Sequence, residues 1–200
     1  MDAERLIALE RKFAPEVGKG RGVFSPLDRN PHAPWNLGGD KMGADRNNYA
    51  EVYARILTGM DPQRVVELGV FQGASMAVWC ELFPEAEVVG LDLDFGRFHA
   101  NYYALKDRGA FKENSPLLHE WDAYSDEAEI LRDMGDIDLF VDDGPHTEDA
   151  ITNVLSLVGP MMAPGGVYVV EDFPDGDRLL AKAFPQARII CAGRLNAALL

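Results

Sequence analysis

Short apolar runs alternate with amphipathic segments along most of this chain. Strands that are buried on both faces have continuous apolar sequences, whereas a helix repeats its apolar positions every three or four residues. The runs predict strands at 64–68, 87–91, 117–121, 137–141, 167–170, 188–192 and 197–200, and the spacing predicts helices at 74–83, 147–158 and 176–184. This alternation indicates an α/β fold with a doubly wound, mostly parallel sheet, whose last strand is expected to be antiparallel.

The first 60 residues have a different pattern. Residues 1–12 and 48–60 predict two helices, while 13–47 are rich in Gly, Pro and Asn and have no sustained period. An irregular stretch of this length is typical of a linker or a functional lid. We therefore expect residues 1–60 to comprise an N-terminal helix, a lid segment and a lead-in helix, and residues 61–200 to form one globular unit.

Composition and charge narrow the classes of function. The 200 residues carry a formal net charge of −14, which disfavours contact with phosphate backbones, so we expect no nucleic-acid partner. No apolar run reaches the roughly 20 residues of a membrane span, and the charged first residues do not resemble a signal peptide. Two cysteines far apart in sequence fit a reducing compartment. These features predict a cytoplasmic protein with neither a nucleic-acid nor a membrane partner.

The first strand runs into a glycine-containing loop, VVELGVFQGAS. Gly69 permits a sharp turn, Gly73 permits a helix to start close to a ligand, and Glu67 places a carboxylate near the strand end. The G-x-x-x-G spacing differs from the dinucleotide-binding pattern. Taken alone, such a loop is weak evidence for a cofactor site.

Acidic residues follow the second and third strands. Asp92 could accept hydrogen bonds from two ribose hydroxyls, with Asp94 as its competitor and a helix cap as the alternative role. Asp122, after the third strand, could accept the amino group of an adenine. These positions matter because ligands of open α/β sheets bind at the carboxyl ends of the strands.

Adjacent carboxylates end both the fourth and the fifth strand, as Asp142–Asp143 and Glu171–Asp172. Such pairs repel each other unless a cation compensates, and oxygen ligands suit Mg²⁺ before other divalent ions. The alternative is that one acid of each pair caps a helix. His146 follows in the same loop as Asp143 and could remove a proton from a metal-bound hydroxyl.

Three segments together resemble a known family: VVELGVFQGASMAVWCELFPEAEVVGLDLD, DLFVDDGPHTEDA and APGGVYVVEDF. Over about residues 40–173 the chain is similar to class I S-adenosylmethionine (SAM)-dependent methyltransferases that O-methylate sugars of macrolides and related natural products. Some of their relatives are labelled cephalosporin-hydroxylase-like. The resemblance implies a Rossmann-like fold, SAM contacts from Glu67, Gly69, Gly73, Asp92 and Asp122, metal ligands Asp143, Glu171 and Asp172, and a catalytic pair of Asp143 and His146.

The segment before the glycine loop also resembles the family. Asp40–Lys41 and Asn48–Tyr49 partly match a DK-plus-aromatic pattern that contributes to the lid, so Tyr49 joins the expected cofactor contacts. Pro145 replaces the serine of the family's DDGSH motif, and Asn48 stands where many relatives have histidine. These departures bear on the acceptor more than on the methyl donor.

The resemblance implies a SAM- and divalent-metal-dependent O-methyltransferase that acts on a hydroxyl, expected on a sugar diol of a glycosylated small molecule. A catechol-like acceptor and a non-catalytic SAM- or metal-binding module remain alternatives, as does a homo-oligomeric assembly. A metal-dependent hydroxylase is less favoured, because the acids have only one nearby histidine instead of the two in a facial triad. Whether Asp142 replaces Asp143 as a ligand is left open.

Overall fold

The structure, a computed structural model, describes residues 1–14, 41–43, 47–126 and 129–200. The strands are β1 (Arg64–Leu68), β2 (Glu87–Asp92), β3 (Leu117–Glu120), β4 (Ile137–Asp142), β5 (Met162–Val170), β6 (Arg188–Ala192) and β7 (Leu195–Leu199). The helices are α1 (Ala3–Phe13), α2 (Ala50–Leu57), α3 (Ala74–Leu82), α4 (Gly96–Asp107), α5 (Glu129–Arg132), α6 (Glu148–Val158) and α7 (Gly176–Ala183), with a 3₁₀ turn at Gly159–Met161.

The strands form one seven-stranded sheet in the order β3-β2-β1-β4-β5-β7-β6. β1 to β5 pair in parallel, and β7 is antiparallel to both of its neighbours, β5 and β6. The predicted doubly wound, mostly parallel fold with an antiparallel last strand is therefore confirmed. The order reverses between β1 and β4, which is where a doubly wound sheet opens a crevice for ligands.

Each face of the sheet carries its own apolar core, because side chains alternate along a strand. Val65, Leu139 and Val141 contribute to the core that includes α1, α2 and α3. Val66 and Phe140 contribute to the opposite core, which includes α6 and α7. Burial on both faces explains why the central strands are continuous apolar runs.

Some helices and strands differ from the sequence-based prediction, and the short helix α5 is one that was not predicted. The helix α4 was not predicted, and only Phe98 and Leu105 of its twelve residues are buried, so it lacks a strong apolar stripe. β5 begins at Met162 instead of residue 167, so the PGG segment belongs to the strand. β7 begins at Leu195 instead of residue 197, after a tight turn at Gly193 and Arg194.

The N-terminal helices pack directly on the sheet domain. Leu6 and Phe13 of α1 and Tyr53 of α2 are fully buried in the same core as β1 and α3. Most of the predicted lid, residues 15–40 and 44–46, lies outside the described residues. Within the described ranges, no helix combines the length and the apolar character that crossing a bilayer requires.

Candidate cofactor and metal site

The glycine loop after β1 lies at the point where the strand order reverses. Gly69 has a φ of +94°, and a Cβ added there would come within 2.1 Å of the carbonyl oxygen of Asp143. Gly73 has a φ of +85°, and a Cβ there would come within 2.5 Å of the ring of Phe98. Both positions combine a left-handed conformation with a close approach, so only glycine fits without rearrangement.

A cavity opens against this loop. The residues that line it come from the loop, from α3 and from the segments that cover them: Glu10, Lys41, Met42, Gly69, Val70, Phe71, Gln72, Gly73, Ala74, Ser75, Val78, Trp79 and Asp143. Gly69 and Gly73 thus lie where the sequence placed them. Glu67 lies behind the wall, fully buried, and accepts hydrogen bonds from the indole of Trp79 at 3.0 Å and from Lys41 at 2.5 Å.

The acids after β2 and β3 have local partners. Asp92 accepts the backbone N–H of Phe71 at 2.9 Å and that of Leu93 at 2.7 Å, so it braces the glycine loop. Asp94 accepts the N–H of Gly96 at 2.7 Å, as expected of a residue at the start of α4. Asp122 is exposed and accepts the N–H of Tyr124 two residues later.

Lys41 occupies the centre of a buried carboxylate cluster. Its ammonium lies 2.5 Å from Glu67, 3.0 Å from Oδ2 of Asp143 and 3.2 Å from Oε2 of Glu171. Burial alone would lower the pKa of Lys41, but the carboxylates of Asp143, Glu171 and Glu67 together raise it well above the usual value. Lys41 is therefore a permanent cation at the point where β1, β4 and β5 end.

The two acids of the Asp142–Asp143 pair have different environments. Asp142 is buried next to Tyr168, whose hydroxyl donates to Oδ2 at 3.3 Å, and burial raises the pKa of Asp142 to about 7. Asp143 lines the cavity and pairs with Lys41. Burial raises the pKa of Asp143 to about 6, although Lys41 opposes this. Of the two acids, Asp143 is the one that the cavity exposes.

One described group of side chains is arranged as metal ligands are. Asp143, His146 and Asp172 each offer an atom, and these atoms all lie within 4.8 Å of one another. Glu171 is outside this group: the Tyr53 hydroxyl donates to its Oε1, and Lys41 holds its Oε2. Burial raises the pKa of Glu171 well above the usual range. Of the three predicted ligands, the structure brings Asp143 and Asp172 together and adds His146.

Asp172 is held by residues from two other segments, 47–49 and the turn before β7. The hydroxyl of Tyr49 donates to Oδ1 at 2.7 Å, the amide of Asn47 approaches the same oxygen at 3.4 Å, and the Arg194 guanidinium lies 3.7 Å from it. Burial, followed by the bond to Asp172, raises the pKa of Tyr49 far above its usual value. Tyr49, expected to contact the cofactor, thus contacts the acid and does not line the cavity at the glycine loop.

Backbone strain is concentrated around this site. Five described non-glycine residues have positive φ values between 51° and 60°: Asn48, Phe71, Phe111, His146 and Asp172. Phe71 belongs to the glycine loop, Asn48, His146 and Asp172 lie in or beside the acid–imidazole group, and only Phe111 lies elsewhere. Left-handed non-glycine residues cost free energy and tend to occur where function requires a fixed geometry.

Sequence reasoning missed several residues that organise the site. Glu10 accepts the backbone N–H groups of Lys41 and Met42 at 2.9 and 3.0 Å. Tyr53 lies in the predicted helix 48–60, and Arg194 lies between the last two predicted strands, but nothing in the sequence singles out either residue. For Lys41, the available signal was the family's DK pattern, which gave no indication of its carboxylate partners.

The comparisons with known proteins agree with this fold. Residues 66–173 match the family model described as a methyltransferase domain. Among solved structures, MycE methyltransferase in complex with Mg, SAH and mycinamycin VI superimposes with a TM-score of 0.60 at 20% identity. The alignment covers 80% of this chain and 50% of MycE, and at this identity it shows the shared fold.

Curated relatives are more similar in sequence. Mycinamicin VI 2''-O-methyltransferase of Micromonospora griseorubida is 27% identical over 116 residues, covering 54% of this chain and 27% of the relative. A rhamnosyl tetracenomycin-C 2'-O-methyltransferase of Streptomyces olivaceus is 29% identical over 148 residues, covering 68% of this chain and 35% of the relative. The chain thus spans about a third or less of these relatives. Because the family model matches more than half of the chain, and the sheet order and glycine loop agree with it, this protein belongs to the methyltransferase-domain family.

Proposed function

We propose that this protein is a SAM-dependent O-methyltransferase that uses a divalent metal, Mg²⁺ first among candidates, and methylates a sugar hydroxyl of a glycosylated natural product. The observation that carries the proposal is the position of Asp143. This residue lines the cavity at the glycine loop and also belongs to the acid–imidazole group with His146 and Asp172. A methyl donor and an acceptor hydroxyl would therefore meet at one carboxylate.

The methyl donor would bind along the glycine loop. Gly69 and Gly73 would let the backbone approach the ligand closely, and Asp92, at the end of β2, would accept the ribose hydroxyls. Glu67, buried behind the loop, would contribute negative charge near a cationic sulfonium. Asp122, exposed after β3, is the proposed adenine contact. Transfer then depends on positioning, because the reactivity resides in the sulfonium itself.

The metal would be held by Asp143 and Asp172, with His146 or Glu171 as a further neighbour. The donor set fits a hard cation, since carboxylate oxygens dominate it. A bound divalent ion would acidify an acceptor hydroxyl. His146, with Nε2 3.8 Å from Oδ1 of Asp143, is half exposed and is the proposed acceptor of the hydroxyl proton.

Residues 1–60 would cover this site, and their helices α1 and α2 share a core with the unit formed by residues 61–200. Glu10, Lys41 and Met42 supply one wall of the cavity, which supports that role. Tyr49 would act from the same region by holding Asp172 in place. A homo-oligomer and a cytoplasmic location remain predictions.

The sugar acceptor is supported by the relatives. Two further similar proteins are an L-olivosyl-oleandolide 3-O-methyltransferase and a demethylmacrocin O-methyltransferase, from Streptomyces antibioticus and Streptomyces fradiae. Like the two relatives already described, the first is named for methylating a hydroxyl of a glycosylated product. We therefore favour a sugar hydroxyl over a catechol-like hydroxyl as the methyl acceptor.

A mass-spectrometric screen tests the proposal directly. Purified protein is incubated with SAM, Mg²⁺ and glycosylated polyketides, and products are searched for a mass gain of about 14 daltons. Asp143→Asn should abolish or greatly reduce turnover, and EDTA should reproduce that loss until Mg²⁺ is restored to the wild type. Full turnover in EDTA would remove the metal from the proposal, and SAM binding without methyl transfer to any acceptor would favour a non-catalytic module.

A further inference from the structure

The carboxylates at the ends of β4 and β5 are already engaged by a cation of the chain itself. Lys41 lies 3.0 Å from Asp143 and 3.2 Å from Glu171, two of the acids that the resemblance assigns to a metal. We infer that Lys41 is an internal counter-ion that holds these oxygens when no divalent ion is bound and releases them when one binds. This inference rests on the metal site of the proposed function.

The two cations would compete for Asp143. A divalent ion bound to Asp143 and Asp172 would lie close to the ammonium, because Lys41 contacts Asp143 directly, and like charges repel strongly at the low effective dielectric constant of a buried site. Lys41 is largely buried, so its charge is poorly screened by solvent. Each cation therefore weakens the binding of the other.

The backbone of Lys41 is fastened separately from its ammonium. Glu10, buried on α1, accepts the N–H groups of Lys41 and Met42, and the carbonyl of Lys41 accepts the N–H of Tyr49 at 2.8 Å. These bonds hold the main chain over the site, so the exchange is confined to the side chain. They also keep the ammonium close to the carboxylates, which strengthens its competition with a metal.

The carboxylates that face the ammonium differ in which hydrogen bonds they keep when the ammonium moves away. Glu67 keeps its bond from Trp79, and Glu171 keeps its bond from Tyr53. Among the described residues, Asp143 has no comparable second side-chain donor apart from His146, at 3.8 Å. Asp143 is thus the acid whose orientation depends most on whichever cation is present.

The experiment measures metal affinity without catalysis. Mn²⁺ is titrated calorimetrically into the full chain and into Lys41→Met, with no acceptor present. The control is Lys12→Met, which removes a lysine that pairs with Glu81 at 3.0 Å on the surface. We expect Lys41→Met to bind Mn²⁺ at least about tenfold more tightly, and Lys12→Met to stay within about twofold of the wild type.

Thermal unfolding gives an independent measurement. Lys41→Met should lower the melting temperature in EDTA and lower it less in saturating Mn²⁺, because the metal then supplies the missing charge. If Lys41→Met fails to fold, Glu10→Gln weakens the docking of Lys41 without removing its charge, and Glu81→Gln is the matched control. Glu10→Gln should then tighten Mn²⁺ binding by about threefold or more.

The outcomes separate this inference from the proposed function. Unchanged or weaker Mn²⁺ binding by Lys41→Met overturns the exchange, and so does the absence of Mn²⁺ binding by both the wild type and the variant. In the second case the metal part of the proposed function fails as well. Tighter binding by Lys41→Met, combined with no methyl transfer to any acceptor, would sustain the exchange and overturn the function.

Discussion

Replacing Gly69 with alanine tests the close approach on which the whole site depends. Gly69 and Gly59 both have positive φ values, +94° and +81°, so alanine meets similar backbone strain at each position. The surroundings differ. A Cβ at Gly59 would have no heavy atom within 4 Å, whereas one at Gly69 would lie 2.1 Å from the carbonyl oxygen of Asp143. Gly59→Ala is therefore the matched control.

The expected costs follow from these two contributions. A left-handed alanine costs about 1–2 kcal/mol, which is the whole penalty predicted for Gly59→Ala. Gly69→Ala adds a steric clash that the backbone must relieve, worth about 1–3 kcal/mol or more. The total for Gly69→Ala is then about 2–5 kcal/mol. Because the clash displaces the loop that carries Asp143, Gly69→Ala should also weaken the binding of Mn²⁺.

Urea unfolding of both variants gives the free energies, and calorimetry gives the metal affinities. Gly59→Ala should leave the Mn²⁺ affinity unchanged. If the two variants are destabilised equally, or if Gly69→Ala binds Mn²⁺ as the wild type does, the close contact between the β1 and β4 loops does not constrain the site. The proposed link between cofactor loop and metal loop would then fail.

Three further predictions address single residues. Asp92→Asn should weaken the binding of SAM by about 1.5–3 kcal/mol, because a charged acceptor is lost. The control Asp94→Asn affects only the start of α4 and should leave SAM binding unchanged. Equal SAM affinities of the two variants would remove Asp92 from the site. His146→Gln should lower kcat and leave Mn²⁺ affinity unchanged if His146 is the base, whereas a large loss of affinity would make it a ligand. Asp142 has a pKa of about 7 when folded and about 3.8 when unfolded. In EDTA, the free energy of unfolding of the wild type should therefore fall relative to that of Asp142→Asn as pH rises from 4 to 7, by at most about 4 kcal/mol. Above pH 7 the difference between the two proteins should become constant. A difference that is already constant between pH 4 and 7 would contradict the raised pKa of Asp142.

The sheet was predictable because its physical signal is local. Continuous apolar runs arise wherever a strand is covered on both faces, and β1 and β6 begin and end where the sequence placed them. The helix α4 was missed for the converse reason. It buries only Phe98 and Leu105 and presents aromatic and charged side chains elsewhere, so its spacing carries little amphipathic signal.

The positions of the site acids were also predictable, but their partners were not. Parallel strands bring their carboxyl ends to one edge, so Asp92, Asp143 and Asp172 were expected there. Which member of each adjacent pair faces the cavity depends on the packing of the sheet between its two layers. Side chains alternate along a strand, so Asp142 turns toward Tyr168 and Asp143 toward Lys41. The sequence alone leaves that choice open.

The cations show most clearly where sequence reasoning stops. Adjacent carboxylates were taken to require a metal, because like charges at a buried strand end repel each other. The chain itself supplies two compensating cations, Lys41 beside Asp143 and Glu171 and Arg194 beside Asp172. Paired acids are therefore insufficient evidence for a metal site. The stronger evidence is the convergence of Asp143 and Asp172 with His146, together with the left-handed backbone that His146 and Asp172 adopt to reach it.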